Sequence, residues 1–501
     1  MRFKLVLGKE TLVWSALACA SVAAWIGLLN NYLPCADDFP FAAAFKAGLW
    51  DAIWSTYAKT GIRRSFGLLT NMPLCAAPLE IIGLLCLGLH LTATFLVFDV
   101  CKLLCRMPRL AFAVAVLFGV FPFGYGAVVW ACGSYIIPCV ICFLAALAIL
   151  LRHCAQPSSS DWVIASVTSV LIFVGCLAGE HLIFASALVG VLALVATKEK
   201  IQFGDVKKPW VIAPILAVGL FLALTLITQS EKGLTDIRGG DRSFASINPP
   251  TLLSVWFYQV RNLDCFQPWM HMESVRLAVQ QLGWPHLAGA VLLLVVAWCC
   301  ARRAQWNTSG AEKSPCSDSG EHLQGANNMS LLVVVVMMLG LSAVHALAGG
   351  YSAASRHQYA PLALLGLLVA VAGVRCPAIE RLLAWRSSLP LVLLLTFGTA
   401  TTWLVTGLNH FELKRHHALC DFLAKEKIEG PVHLQFVPPL YSHWPKMQRT
   451  LGGYSFDDAW VINLALESRG AAPISISTNS TGTTVRITWN GATNAVEIVS
   501  R

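Results

Sequence analysis

Two adjacent carboxylates open the chemical inventory. Asp37 and Asp38 sit in the segment 32–40 (YLPCADDFP). Neighbouring carboxylates raise each other's pKa by repulsion. One could serve as a general base and the other could orient a substrate or a metal. A plainer alternative is that Asp38 caps the helix starting near Pro40. Guanidinium pairs suit phosphate through bidentate hydrogen bonds, and Arg63 and Arg64 follow twenty-odd residues later. Glu80 comes after Pro78, where a helix start favours an acid. Glu180 and His181 fill a three-residue break between apolar runs, and Arg356 and His357 precede another run in the segment 350–361 (GYSAASRHQYAP). A helix N-terminus with Arg and His beside it makes a phosphate site.

The elements that hold these residues follow from composition. The chain has 501 residues, 36 of them Lys or Arg and 27 Asp or Glu; only 13% are charged and 56% are hydrophobic, with mean hydropathy +0.64. A soluble protein carries roughly 25% charge, and disordered chains carry more. The reading is an α-helical polytopic membrane protein. Runs of about 20 apolar residues cross hydrocarbon, and about eleven occur: 11–29, 79–100, 110–130, 134–151, 162–178, 182–196, 210–229, 285–301, 329–348, 358–374 and 389–407. The first is read as a retained helix rather than a signal peptide.

Lys/Arg asymmetry sets the orientation. With the N-terminus inside, inner loops hold 17 Lys/Arg in 83 residues and outer loops 10 in 119. The net charge of +9 is then a topology signal, and no nucleic-acid partner is implied. An odd span count places the C-terminal segment outside. The chain divides into a membrane domain, 1–407, and an outer domain, 408–501, of small α/β or mostly-β type. There, 413–427 reads as helix, and 431–437, 474–477, 484–489 and 495–499 read as strands, with a hairpin signal at Asn490-Gly491.

The first outer loop contains an amphipathic helix with Phe41, Phe45, Leu49 and Ile53 on one face and Trp50, Trp54 and Tyr57 beside them. It suits the membrane interface. Leu252, Leu253, Trp256, Val260 and Leu263 form a similar stripe in the second long loop. Cys35 and Cys75 flank the first loop and could pair in an oxidising compartment.

This layout resembles the GT-C superfamily of integral-membrane glycosyltransferases, which use polyprenyl-phosphate-linked sugars. The resemblance rests on one N-terminal span, a long outer loop opening with Asp37-Asp38-Phe39, interfacial helices, roughly a dozen spans, a late outer Arg (Arg356) and a C-terminal outer domain. It covers the whole chain as layout, without a particular family. It implies a lipid-phosphate sugar donor entering from the membrane and a lipid, glycan or protein acceptor entering from outside. It also implies Asp37 or Asp38 as general base. Arg356, helped by Arg63, Arg64 or His357, would hold the leaving phosphate, and Glu180 and His181 would line the cavity. A divalent cation (Mg or Mn) at Asp37/Asp38 stays an open alternative. The implied location is a bacterial inner membrane with the site facing the periplasm. The rivals are an O-antigen polymerase or ligase, a lipid or glycan flippase, and a non-catalytic assembly protein.

Overall fold

A computed structural model describes residues 8–36, 38–48, 50–51, 53–54, 62, 65–157, 159–198, 201–229, 262–304, 320–347, 359–374, 376, 389–426, 428, 430–444, 456–477, 482–490 and 493–500. The described chain is mainly helical, with one small C-terminal sheet.

Among the described residues, six helices are long and apolar enough to cross a membrane: α5 (Leu79–Cys105), the segment Cys132–Ala155 containing α8 (Ile136–Ala155), α9 (Asp161–Ala178), α13 (Pro209–Gln229), α15 (Trp284–Arg303) and α18 (Leu389–Glu426). A bent pair, α6 (Pro108–Val120) and the segment Pro122–Val129 that ends in α7 (Tyr125–Val129), makes a seventh. Three further apolar stretches, in α1 (Lys9–Ala24), α16 (Gly320–Leu347) and α17 (Tyr359–Gly373), are shorter. The expected run 182–196 is divided between α10 (Ile183–Ala187) and α11 (Val189–Thr197), with the break at Leu188. Leu216 on α13 and Leu292 on α15 are each 65% exposed, and Val170 on α9 is 63% exposed. Such apolar faces suit hydrocarbon, since soluble surfaces seldom carry them contiguously.

Local signals explain the helix ends. Ser160 caps α9 through a hydrogen bond that its Oγ accepts from the Val163 N–H. Arg106 closes α5 in the left-handed region (φ 53°), and Pro108 then starts α6. Charged groups gather at this end of the bundle. Lys102 pairs with Glu10 at 2.6 Å, Arg152 with Asp99, His153 with Asp161 at 2.8 Å, and Lys198 with Asp205.

The span 108–129 bends by 43° at Phe121-Pro122. Proline cannot donate a main-chain hydrogen bond, so carbonyls before it lose their helical partners. Within hydrocarbon they need others. The indole of Trp25 donates to the Gly119 carbonyl at 2.8 Å, His90 Nε2 lies 3.0 Å from the same oxygen, and Thr402 Oγ1 donates to the Val120 carbonyl at 2.5 Å. Side chains from α5, α18 and the residue that caps α1 therefore seal the break.

The C-terminal sheet has strand order β2-β1-β3-β4. Its strands are β1 (Pro431–Val437), β2 (Ser475–Ile476), β3 (Thr483–Trp489) and β4 (Asn494–Ser500). β1 runs parallel to β2 and β3, with Leu434 opposite Val485, and β3 pairs antiparallel with β4. The Asn490 side chain accepts from the Thr493 N–H and closes the turn. The C-terminal half of α18 and α19 (Ala459–Glu467) cover the sheet, burying Leu419, Leu423, Val432, Ile462 and Ile487.

Several sequence expectations change. The boundary at 407/408 falls inside α18, a single 38-residue helix that is about 57 Å long at 1.5 Å per residue. The amphipathic helix of the first loop is α3 (Asp38–Ala47), with Phe41 and Phe45 half-buried. Gly48 follows it with φ 153°, a conformation rarely open to other residues, and Trp50 and Trp54 beyond it are exposed. Of the stripe in the second long loop, 252–260 lies outside the described residues, and only the backbone of Leu263 is described, in a 3₁₀ segment.

Candidate functional site

The site is built around Asp38, the first residue of α3, whose side chain is 1% exposed. Its carboxylate is fully engaged. Oδ2 accepts from the Tyr32 hydroxyl at 2.6 Å and the Cys35 N–H at 3.1 Å. Oδ1 accepts from the Cys132 N–H at 2.8 Å and the Cys75 thiol at 3.5 Å. A carboxylate offers about four lone-pair positions, and all four are taken. Burial pushes the Asp38 pKa up from 3.8 to about 6, while the four donors pull it down. Burial, then the adjacent carboxylate, also raises Tyr32 and Cys75. Cys35 and Cys75, which could have paired with each other, both turn to Asp38 instead, Cys35 by its backbone and Cys75 by its thiol.

The loop before α3 is tight. Ala36 has φ 43°, a left-handed conformation unfavourable for a residue with a Cβ. It stands next to Asp37, and the hydrogen bonds of Asp38 hold the turn. Strain of this kind clusters at functional positions.

From Asp38 a polar network crosses to the next helices. Tyr32 Oη accepts from the Ala131 N–H at 3.0 Å. The Cys132 carbonyl accepts from Asn71 Nδ2 at 2.7 Å, and Asn71 Oδ1 lies 3.3 Å from the Ser134 hydroxyl. Asn71 belongs to α4 (Ser65–Ala76); Cys132 and Ser134 belong to a 3₁₀ turn that leads into α8. The Tyr135 ring lies 6.0 Å from that of His181, which is buried in the 3₁₀ turn Glu180–Leu182. Gly67 permits this meeting, because a Cβ there would stand 2.5 Å from the Ala178 carbonyl.

Asp38 and His181 therefore meet through one segment, 131–135. The other expected site residues divide as follows. Asp37, Arg63, Arg64, Arg356 and His357 lie outside the described residues, as does the Glu180 side chain. Glu80 is exposed in the first turn of α5, beside the exposed Leu79 and Ile81. It is not drawn into the network. Among the described residues, no three His, Cys, Asp or Glu side chains converge as a metal site. A cation at Asp38 would have to displace the donors it already binds.

Two groups escape a reading for charge. His90 Nδ1 lies 2.7 Å from the Tyr359 hydroxyl, which ties the start of α17 to the break at Gly119. Tyr359 packs on Gly124, where a Cβ would come within 2.8 Å of the ring, and α7 and Trp130 separate Gly124 from the 131–135 segment. The signal was a lone His in an apolar run. The second group is 409–417 (NHFELKRHH), where α18 leaves the bundle. Glu412 and Arg415 pair at 3.0 Å with almost no exposure, and Glu412 also accepts from the Tyr441 N–H. Burial pushes Glu412 up to about 7, against the pull of Arg415 and the Tyr441 N–H. A cavity of about 20 Å³ between Tyr32, Val129, Asn409 and His410 has the size for one water molecule.

The sequence matches no protein-family model and none of the curated proteins.

Proposed function

We propose that this chain is an integral-membrane glycosyltransferase moving a sugar from a polyprenyl-phosphate donor to an acceptor at the outer face of the membrane. The observation that carries this reading is the saturated Asp38 carboxylate. It has no lone pair left for a substrate hydroxyl, yet it locks a strained turn at the membrane boundary, one residue after Asp37. Asp38 is thus the positioning residue and Asp37 the general base. The resemblance in layout to GT-C enzymes supplies the reaction class.

In that reaction Asp37 takes the proton of the acceptor hydroxyl. The acceptor oxygen bonds to the anomeric carbon, and the bond from that carbon to the phosphate oxygen breaks. The phosphate leaves with the electron pair. Arg356, with His357, Arg63 and Arg64, offsets its charge. The anchoring of Tyr359 near Gly124 supports placing Arg356 and His357 on the side of the bundle that carries Asp38. His181 and Glu180 border the same region.

This reading carries the topology of eleven spans, N-terminus inside and sheet outside. Ion pairs at the opposite end of α5 and α8 from Asp38 support it. The location it implies is a bacterial inner membrane with the site facing the periplasm. In many secondary transporters the carbonyls freed at a broken helix coordinate the coupling ion; here the Gly119 and Val120 carbonyls accept from Trp25, His90 and Thr402.

The test is sugar transfer from a polyprenyl-phosphate donor by purified Asp37→Asn, Asp38→Asn and Arg356→Ala. Asp37→Asn should fold normally and lose transfer. Full transfer in both Asp variants would overturn the proposal.

A further inference from the structure

The turn carrying Asp37 is held from the membrane side by the Asp38 hydrogen bonds. A second set of contacts holds it from the aqueous side. His417 Nε2 lies 2.8 Å from the Pro34 carbonyl, and Arg469 Nη2 lies 3.1 Å from His417 Nδ1. One tautomer satisfies both bonds. A carbonyl can only accept, so Nε2 carries the proton and donates, and Nδ1 accepts from the guanidinium. Arg469 is fixed in turn by Asp421 at 2.7 Å and by the Ala465 carbonyl at 2.8 Å. Its guanidinium stands 5.9 Å from the Phe39 ring centroid.

Phe39 itself belongs to the C-terminal core. It packs in one cluster with Leu419, Cys420, Val432 and Ile462, not with the membrane bundle. Pro34 and Phe39 therefore bracket Asp37 and Asp38, and both brackets are gripped by the sheet-bearing domain. The grip uses α18 through His417 and Asp421, and the end of α19 through Arg469.

We infer that the C-terminal domain is a clamp on the acidic turn, with His417 and Arg469 as positioning residues that order the backbone at Pro34 and the seat of Phe39. This rests on the glycosyltransferase reading only for its catalytic consequence. The clamp itself is a statement about the order of residues 34–36 and 38–39.

The experiment uses the full chain in lipid nanodiscs. Amide hydrogen exchange is followed at Cys35, Asp38 and Phe39, whose N–H groups bond to Asp38 Oδ2 and to the carbonyls of Cys35 and Ala36. The variants are His417→Leu, His417→Gln and Arg469→Ala, with the exposed Arg276→Ala as control. In His417→Leu these three amides should exchange about fivefold faster, the fold-change equivalent to one net hydrogen bond. Amides of β3 and β4 should stay at the wild-type rate. His417→Gln keeps a donor toward Pro34 and should restore most of the protection. Unchanged turn amides in both His417→Leu and Arg469→Ala would overturn the clamp. So would equal acceleration in β3 and β4, which would mark general loosening. Transfer kinetics are measured on the same samples. If the wild type transfers sugar, His417→Leu should lower kcat at least fivefold and leave the donor KM unchanged; a change in KM alone would refute the positioning role. If the wild type transfers nothing, the glycosyltransferase reading falls, and the exchange data still decide the clamp.

Discussion

Replacing Asp38 by Asn tests the central piece of the site through its proton linkage. The folded carboxyl has a pKa of about 6 against an ordinary 3.8. A raised folded pKa means that the folded state holds the proton more tightly. The stabilisation is complete below about pH 3.8 and disappears as pH rises through 6. Two pH units correspond to about 3 kcal/mol. The Asn side chain does not titrate, so this slope vanishes. Its amide nitrogen must also face donors: Cys132 N–H and Cys75 S–H at one oxygen position, Tyr32 O–H and Cys35 N–H at the other. One buried N–H is left without an acceptor in either orientation, which costs about 1–3 kcal/mol. Asp38→Asn should therefore be less stable than wild type at pH 4, and the gap should narrow toward pH 7, leaving the cost of the unpaired N–H. The assay is thermal unfolding of both proteins in detergent at half-unit steps from pH 4 to 7.5. Unfolding entropy near 2.1 cal/mol/K per residue makes 1 kcal/mol worth about 1 °C here, so the gap should change by about 3 °C. Taking the difference between the two proteins cancels the titration of Glu412 and other groups. Parallel curves across the whole range would refute the reasoning.

Further outcomes follow from other contacts. Asn71→Leu removes the donor to the Cys132 carbonyl and should lower stability by about 1–3 kcal/mol, read as a lower unfolding midpoint. Arg415→Met leaves Glu412 buried without its cation and should lose about 3–5 kcal/mol, whereas the double variant with Glu412→Leu should recover part of this loss in the same assay. Gly83→Ala would put a Cβ 2.0 Å from the Leu28 carbonyl; it should destabilise by about 1–3 kcal/mol, seen as reduced yield of monodisperse protein. Tyr359→Phe takes a hydroxyl from His90 at the sealed break and should cost about 1 kcal/mol, read as a lower midpoint with unchanged oligomeric state.

What was legible in the sequence follows from the range of the forces involved. Period-2 alternation and the Asn490 turn signal gave β1, β3 and β4 nearly to the residue, because these strands are set by neighbours in sequence. Apolar runs gave the helices for the same reason. The end of α3 at Gly48 was missed, because the aromatic spacing continues past the glycine that interrupts it. Asp38 was legible as a candidate; its saturation was not. One of its donors is a backbone N–H 94 positions away, and backbone groups leave no trace in residue identity. The bend at Phe121-Pro122 hid inside an unbroken apolar run, although Pro122 was visible. The run 409–417 looked like the start of a soluble domain, since charge density reports solvent exposure on average; here Glu412 and Arg415 are buried against each other. Neutral hydrogen-bonding groups such as His90 and Tyr359 carry no formal charge, so the charge pattern of the chain does not mark them.

The bond between His417 and Pro34 joins residues 383 positions apart. Its consequence lies in the order of synthesis. The acidic turn is synthesised well before its second bracket, which needs α18 and α19. Closing so long a loop carries a large entropy term, and contacts of wide sequence separation form late in folding. The turn therefore waits, strained at Ala36 and gripped from one side, until the sheet has assembled on Phe39. A chain halted before α18 carries Asp38 and its four donors but neither the His417 bond to Pro34 nor the apolar cluster that seats Phe39.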